Sequence, residues 1–489
     1  MAVQTAGIGH QRGEGGIVIA SIGLEVHVQL KTRSKMFCGC PNQFGAEPNE
    51  QVCPVCLGYP GALPVINAEA VKLTVITGLL LGCRINLKNK FDRKNYFYPD
   101  QAKNYQISQY DQPLCEGGQL EIQLKDKAKI VRITRIHLEE DVAKNTHFPD
   151  GSGVDFNRAG TPLMEIVTEP DMENEDEAFA FLIALKQILE YAGISDCNLE
   201  QGNIRCDINS SVRPTRESPL GTKVEIKNMN TFRGAHRALA YEIQRQIREV
   251  QRGRVIPQET RRWDDDAGSS SSMRTKEYAH DYRYFPEPDL LPVELSADQV
   301  DLWKRSLPEM PAARRERMIH EYQIPEYDAQ VLAADRHVAD FFEQTAKLCG
   351  KGKAASNWMM TEMLRLLSET SGDIRNVLIT PPALAELIKL VEAKTINQPA
   401  AKEVFSILFA SGGDPHAIVK EKGLAQVSDE GALKSMVDQV IADNPKSVAD
   451  LKAGKQAALQ FLIGQIMKAS RGKANPQIAK ELIEKAVAD

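Results

Sequence analysis

Four segments place charged side chains at every second position of what otherwise reads as β-strand. Ile22–Leu30 puts Glu25, His27 and Gln29 on one side and Leu24, Val26, Val28 and Leu30 on the other. A period of two is the signature of a strand with one face buried. In Ile133–Asp141, His137, Glu139 and Asp141 share a side and Glu140 falls on the other. Arg205, Asp207 and Asn209 share a side of Ile204–Asn209, and Lys223, Glu225 and Lys227 alternate likewise. Carboxylates are disfavoured in the middle of strands. If these strands are neighbours, Glu25, His27, Glu139 or Glu140, Asp207 and Glu225 converge, and such carboxylates repel unless cations sit between them. Magnesium suits this set, because it is a hard cation that takes oxygen ligands and bridges phosphates. Arg205, Lys223 and Lys227 are then available to phosphate oxygens. The solvated face of an antiparallel sheet shows the same alternation, and His27 alone also fits a hydrogen-bonded core histidine.

Cys38 and Cys40 form a C-x-C pair, and Cys53 and Cys56 a C-x-x-C pair after a gap of twelve residues. Two close thiol pairs on a short loop can supply four tetrahedral sulfurs, which suits a structural zinc with a closed coordination sphere. Four free buried thiols are the plainer alternative. A redox pair fits less well, because no thioredoxin-like βαβ context surrounds it.

No G-x-x-x-x-G-K-S/T loop, G-x-G-x-x-G fingerprint, H-E-x-x-H or G-x-S-x-G elbow is present. Any ATP chemistry must therefore use carboxylates and metal rather than a phosphate loop. No nucleophile constellation is evident either, so the chain has no glutaminase centre of its own. Phe91–Asp100, Tyr105–Tyr110 and Asp281–Asp289 interleave aromatics with polar residues. They suit the lining of a polar passage and, equally, cross-strand aromatic packing.

The elements that must carry these residues divide unevenly. Residues 18–292 are rich in short alternating strands and turns. Residues 293–410 read helical, with a 3.6 period over Leu332–Lys347, and residues 411–489 form a smaller helical unit after the breaker Ser411–Pro415. Phe285–Pro288 is a second break, Ala267–Ser272 reads as a mobile low-complexity loop, and residues 1–17 as a flexible extension. A helix is expected over Tyr241–Arg252, with Arg245, Arg248 and Arg252 on a solvated face. The fold class expected is α+β: a cradle on an antiparallel sheet, then a helical region and a helical tail.

The chain's net charge is −6 over 489 residues, which excludes a uniformly basic nucleic-acid binder. Residues 451–480 nonetheless hold six basic and no acidic side chains. Leu459, Leu462, Ile463 and Ile466 make the apolar stripe of a helix expected to stop near Gly472. Lys468, Arg471 and Lys473 at its end suit contacts to RNA phosphates, or a basic patch with no ligand. The polar start, the absence of a bilayer-length apolar run and nine cysteines, an odd number, point to a reduced cytoplasmic setting.

Longer motifs add a resemblance. IGLEVHVQL, FGAEPN, YPGALPVIN, FDRKNYFYPDQAKNYQISQYDQP, RIHLEED, DFNRAGTPLMEIVTEPD, RCDIN, GTKVEIKNMN, QETRRWDD, DYRYFPEPDL and FLIGQIMKASRGKANPQ resemble the B subunits of bacterial-type aspartyl/glutamyl-tRNA(Asn/Gln) amidotransferases, over roughly residues 18–489. The resemblance implies a glutamine-synthetase-like cradle working in a heterotrimer with an amidase (A) subunit and a small C subunit. It implies use of ATP and magnesium to phosphorylate the side-chain carboxylate on misacylated tRNA(Gln) or tRNA(Asn). Ammonia from the amidase then displaces phosphate. The helical regions receive the tRNA. By position it implies that Glu25, His27 and Glu140, with Glu139 beside it, belong to the metal-binding pattern, and that Asp207 and Glu225 are further acidic members. Lys94 and Tyr96 fall near the ammonia route. Cys38, Cys40, Cys53 and Cys56 match a zinc-bearing branch. Two rivals are a stand-alone ligase acting on a free amino acid, against which the basic tail argues, and a tRNA-binding adaptor, against which the acidic strand faces argue.

Overall fold

The computed structural model describes residues 18–275, 279–426, 430–452, 455–470, 474 and 476–488. The chain divides into two compact units, one ending at Pro308 and one beginning at Glu309.

The first unit is built on a ten-stranded sheet. Its main strands are β1 (Ile19–Gln29), β2 (Ala128–Glu140), β3 (Pro162–Thr168), β4 (Ile204–Arg213), β5 (Val224–Lys227), β6 (Glu259–Asp264) and β7 (Ser269–Thr275). They lie in the order β7-β6-β5-β4-β1-β3-β2, with short strands beyond β2. All pairings among these seven are antiparallel except β5 with β6. A parallel neighbour needs a crossover, and the helix Phe232–Gln251 supplies it.

β1 follows the expected alternation. Leu24, Val26 and Val28 are fully buried, while Glu25, His27 and Gln29 are half-buried on the other face. The apolar faces share one core with helices α1 (Ala68–Leu80), α2 (Glu175–Tyr191) and α3 (Phe232–Gln251). Side-chain caps fix where each helix starts. Asn67 accepts from the backbone N–H of Glu69 and Ala70, Asn174 from that of Glu177, and Thr231 from that of Gly234. The Thr231 cap starts α3 at Phe232, well ahead of the Tyr241 that its basic stretch suggests. Arg245 is not on a solvated face: it is held by buried Glu242 at 2.7 Å.

Two further sequence expectations change. The Ser269–Ser272 run is not a mobile loop; it opens β7, whose Ser270 pairs with Trp263 of β6. Serine is a tolerable strand residue at a sheet edge, where one side faces water. Phe285–Pro286 is also a strand, paired to Asp92 and Arg93, so this break lies inside the first unit.

The second unit is helical. Arg336–Cys349 (α4), Pro381–Glu392 (α5) and Gln398–Ser411 (α6) pack around Phe342, Leu384 and Phe405. The helical period read over Leu332–Lys347 is broken at Asp335, which caps α4 through the N–H of His337 and Val338. Gly412 ends α6 at φ +67°, a backbone conformation that suits glycine. Ile418 and Val419, beyond that turn, still belong to the same core. A separate small core contains Leu433, Leu462 and Ile483, with Leu462 on α7 (Gln456–Ala469).

Candidate active site

The sheet register brings charged residues of five adjacent strands onto one face. On β1, Glu25 lies opposite Asp207 of β4, and His27 lies between Arg205 of β4 and Glu165 of β3. Glu165 in turn lies opposite His137 of β2, and Asn209 of β4 opposite Glu225 of β5. Two groups result, His27 with Glu139 and Glu165, and Glu25 with Asp207 and Glu225. Within each, one potential ligand atom per residue lies within 4.8 Å of the others. Glu25 and His27 are two residues apart on one face of β1, so this strand joins the groups.

The first group is nearly closed to water. The His27 Nε2 atom is 3.3 Å from Glu165 and 3.9 Å from Glu139, and Ser108 donates to Glu139 at 3.2 Å. Burial opposes a charge on His27, but Glu165, Glu139 and Asp207 overcome it and raise its pKa to about 9. His137 shares Glu165 at 3.5 Å, yet burial pushes it down to about 4. Burial works against the Glu165 charge, but the two imidazoles hold its carboxyl well below the usual range. Burial raises Glu139. The buried Nδ1 of His137 has no hydrogen-bond partner among the described residues.

The second group is compensated by Lys227, which pairs with Asp207 and lies 3.5 Å from Glu225. Asn209 donates to Glu25 at 2.9 Å, and Thr260 donates to Glu225 at 2.8 Å. Lys94 reaches the first group from the strand Asp92–Asn95. Burial opposes its charge, but Glu139 and Glu165 raise its pKa, and its ammonium sits 5.0 Å over the Tyr282 ring. Tyr96 stacks on Tyr98 with centroids 5.8 Å apart and meets Tyr282 edge-on at 6.2 Å. His27, Lys94, Tyr96, Glu139, Asp207 and Lys227 all line one cavity of about 260 Å³. Clustered carboxylates with lysines held among them fit a centre whose charge is shared with cations, and the oxygen-rich donor set fits magnesium.

Glu140 does not join these residues. Its carboxylate points to the opposite face of β2, where Lys103 donates at 2.5 Å and the Ile107 N–H at 3.0 Å. Successive strand residues face opposite ways, so Glu139, and not Glu140, belongs to the group. Glu165 is the member the sequence did not single out. Its only signal was a carboxylate inside the apolar run Pro162–Thr168, within a motif already noted. Arg205 is held at 2.9 Å by Asp141, and Lys223 is exposed just before β5.

The cysteines come together separately. The four sulfurs of Cys38, Cys40, Cys53 and Cys56 lie within 4.8 Å of one another and could hold a metal. A hydrogen bond from Cys38 pulls the Cys56 thiol down to about 4, and the buried Lys35 ammonium is 3.7 Å from its sulfur. Four sulfurs within reach of one ion fit zinc. The lobe docks where Met36 donates to the Gly160 carbonyl at 2.7 Å; Gly160, at φ +83°, allows this close approach. Lys468 is exposed in the last turn of α7, and Arg471 and Lys473 lie outside the described residues. No helix among the described residues is long and apolar enough to cross a membrane.

Comparison with known proteins agrees across both units. Residues 20–301 match the family described as GatB/GatE catalytic domain, and residues 340–487 match the GatB domain. The aspartyl/glutamyl-tRNA(Asn/Gln) amidotransferase B subunit of Thermoanaerobacter sp. (strain X514) is 52% identical over 466 residues, covering 95% of this chain and 98% of that protein. The protein of the same description from Caldanaerobacter subterraneus subsp. tengcongensis is 53% identical over 465 residues, covering 95% and 98%. That from Carboxydothermus hydrogenoformans is 50% identical over 474 residues, covering 96% and 98%. With a catalytic-domain match spanning more than half its length and relatives aligned almost end to end, this chain belongs to the family of aspartyl/glutamyl-tRNA(Asn/Gln) amidotransferase B subunits.

Proposed function

We propose that this chain is the ATP-using subunit of a cytoplasmic tRNA-dependent amidotransferase, assembled with an amidase (A) subunit and a small C subunit. Its reaction converts the side-chain carboxylate of glutamate on tRNA(Gln), or aspartate on tRNA(Asn), to the amide. The observation that carries this reading is the pair of triads joined by Glu25 and His27 on one sheet face.

A carboxylate is a poor electrophile, because attack by ammonia would have to expel oxide. Transfer of the ATP γ-phosphoryl group to a carboxylate oxygen, with ADP leaving, gives an acyl phosphate. Ammonia then attacks the carbonyl carbon, the C–O bond to phosphate breaks, and the nitrogen loses a proton. His27, Glu139 and Glu165, and Glu25, Asp207 and Glu225, are the residues that would hold magnesium. Bound there, magnesium neutralises charge on the transferring phosphoryl group. Lys227 stands in the Glu25 triad, and Arg205, opposite His27 and two residues before Asp207, stands between the two triads; both are cations for phosphate oxygens, with Lys223 further out. Tyr96, Tyr282 and Lys94 line the cavity together with His27 and Glu139 of the first triad, and their rings narrow the access of water to it. That narrowing limits hydrolysis of the acyl phosphate and keeps ammonia unprotonated. The cysteine quartet is a structural zinc site outside this chemistry. Lys468, with Arg471 and Lys473, is the candidate contact to tRNA.

The triads disfavour a passive tRNA adaptor, and the basic tail disfavours a ligase for free amino acids. The test supplies the assembled complex with ATP, glutamine and either misacylated tRNA or free glutamate. Amide should form only on the tRNA-bound amino acid and only with ATP. Equal use of free glutamate would establish the ligase instead.

A further inference from the structure

Lys35 is only 1% exposed. A buried charge is costly unless an anion meets it. The backbone gives this lysine no route to the surface. Its N–H donates to the Cys40 carbonyl at 3.0 Å. Its carbonyl accepts at 3.2 Å from Asn67, the residue that also caps α1. The next residue, Met36, is held on Gly160. The side chain is therefore fixed at both ends of its own peptide unit and points into the protein.

Among the described residues, two acceptors lie within hydrogen-bond reach of the Lys35 ammonium. They are the Phe156 carbonyl at 3.3 Å and the Cys56 sulfur at 3.7 Å. The cysteine lobe places both, since the Phe156 N–H donates at 2.7 Å to Asn49, on the loop between the two cysteine pairs. The carbonyl carries no net charge. Glu140 comes to the same place: a Cβ on Gly160 would stand 3.5 Å from Lys35 Cδ, 3.5 Å from Cys56 Cβ and 3.9 Å from Glu140 Oε2. Its charge, however, is met by Lys103 at 2.5 Å, and among the described residues no carboxylate forms an ion pair with Lys35.

Sulfur is the anion that remains. Cys56 is the buried member of the quartet, whereas Cys38, Cys40 and Cys53 are half-buried. Four thiolates around one zinc ion sum to two negative charges. Water can offset that charge at the three half-buried sulfurs. At the fourth, the only cation within reach is Lys35.

We propose that Lys35 is the fixed counter-cation of the cysteine quartet: its ammonium donates to the Cys56 sulfur, offsets one of the two charges of the loaded site, and so sets how tightly zinc is kept. The proposal rests on the zinc reading given above and adds to it a residue that cysteine spacing does not reveal. Groups that donate to a metal's ligands typically account for about tenfold to a hundredfold of its affinity.

Competition with a chromophoric zinc chelator measures that affinity in the assembled complex. Lys35→Met should weaken it about tenfold or more. Thermal unfolding adds a sign that a packing role does not share. Lys35→Met should lower the melting temperature of the zinc-loaded wild type. In a Cys56→Ser background, with chelator present, the same change should raise it, because it then removes an ammonium that has lost its anion. Should Lys35→Met alone fail to assemble, the comparison within the Cys56→Ser background still reads that sign. Equal zinc affinity in wild type and Lys35→Met overturns the proposal. So does destabilisation by Lys35→Met in both backgrounds, which would give the charge to Glu140 or leave Lys35 a packing residue. A wild-type complex that holds no zinc overturns the zinc reading and the proposal with it, so the two failures are distinguishable.

Discussion

Glu139 and Glu140 are adjacent on β2, yet their carboxylates serve opposite faces: Glu139 lies 3.9 Å from His27 in the acidic centre, and Glu140 takes the Lys103 ammonium at 2.5 Å behind it. One strand step therefore separates a carboxylate of the acidic centre from one that ties the Tyr105–Ser108 strand to the sheet.

Substitution separates these roles. Glu139→Gln should abolish stabilisation by magnesium in thermal unfolding while leaving the metal-free protein folded. Glu140→Gln removes the partner of the half-buried Lys103 charge and should cost about 2 kcal/mol of stability. It should leave the response to magnesium intact. Differential scanning calorimetry with and without magnesium reads both, and equal loss of the magnesium response in the two variants would contradict the assignment.

The protonation of His27 gives a pH dependence. Its pKa is raised from 6.5 to about 9, so its contribution to metal-free stability is complete below pH 6.5 and is lost as pH rises towards 9. A metal on its Nε2 must displace that proton. Magnesium binding at pH 7.5 should release about one proton per His27 site, read by titration calorimetry in buffers of different ionisation enthalpy. Binding enthalpies independent of the buffer would remove His27 from the ligand set.

Zinc should be found at about one atom per chain, set by the closed four-sulfur geometry. Cys53→Ser should lose the zinc and lower the melting temperature. Metal analysis that finds no zinc in freshly purified wild-type protein would leave the quartet as free thiols.

The C-terminal core around Leu433, Leu462 and Ile483 is separate from that around Phe342 and Phe405, so removing residues after 426 should leave the larger core folded. The truncated complex should bind tRNA more weakly, and its log–log salt slope should fall by roughly two for the loss of about three phosphate contacts. An unchanged slope would show that Lys468 and its neighbours do not touch RNA.

Much of this was legible in the sequence because β1 buries one face only. The alternation of Glu25, His27 and Gln29 against Leu24, Val26 and Val28 reports both the strand and the side that carries charge. Glu165 was not legible, because β3 is buried on both faces through most of Pro162–Thr168 and shows no alternation. Its neighbours across the sheet, His27 and His137, are fixed by register, which one strand's pattern does not contain. The Ser269–Ser272 run misled for a related reason: its polar composition reads as loop, and only pairing with Trp263 and its neighbours on β6 makes it a strand. The role of Glu140 was half-legible, since parity already put it opposite Glu139.

The most direct measurement is amide formation on misacylated tRNA by the assembled complex, with ATP and glutamine, comparing Glu25→Gln, Glu165→Gln and Glu140→Gln. Glu25→Gln and Glu165→Gln should lower amidation by at least about a hundredfold, as loss of a transition-state electrostatic partner does, while glutaminase activity persists. Glu140→Gln, assayed where it is folded, should stay within a few-fold of wild type. Full amidation by Glu25→Gln or Glu165→Gln would contradict the placement of the chemistry on this sheet face.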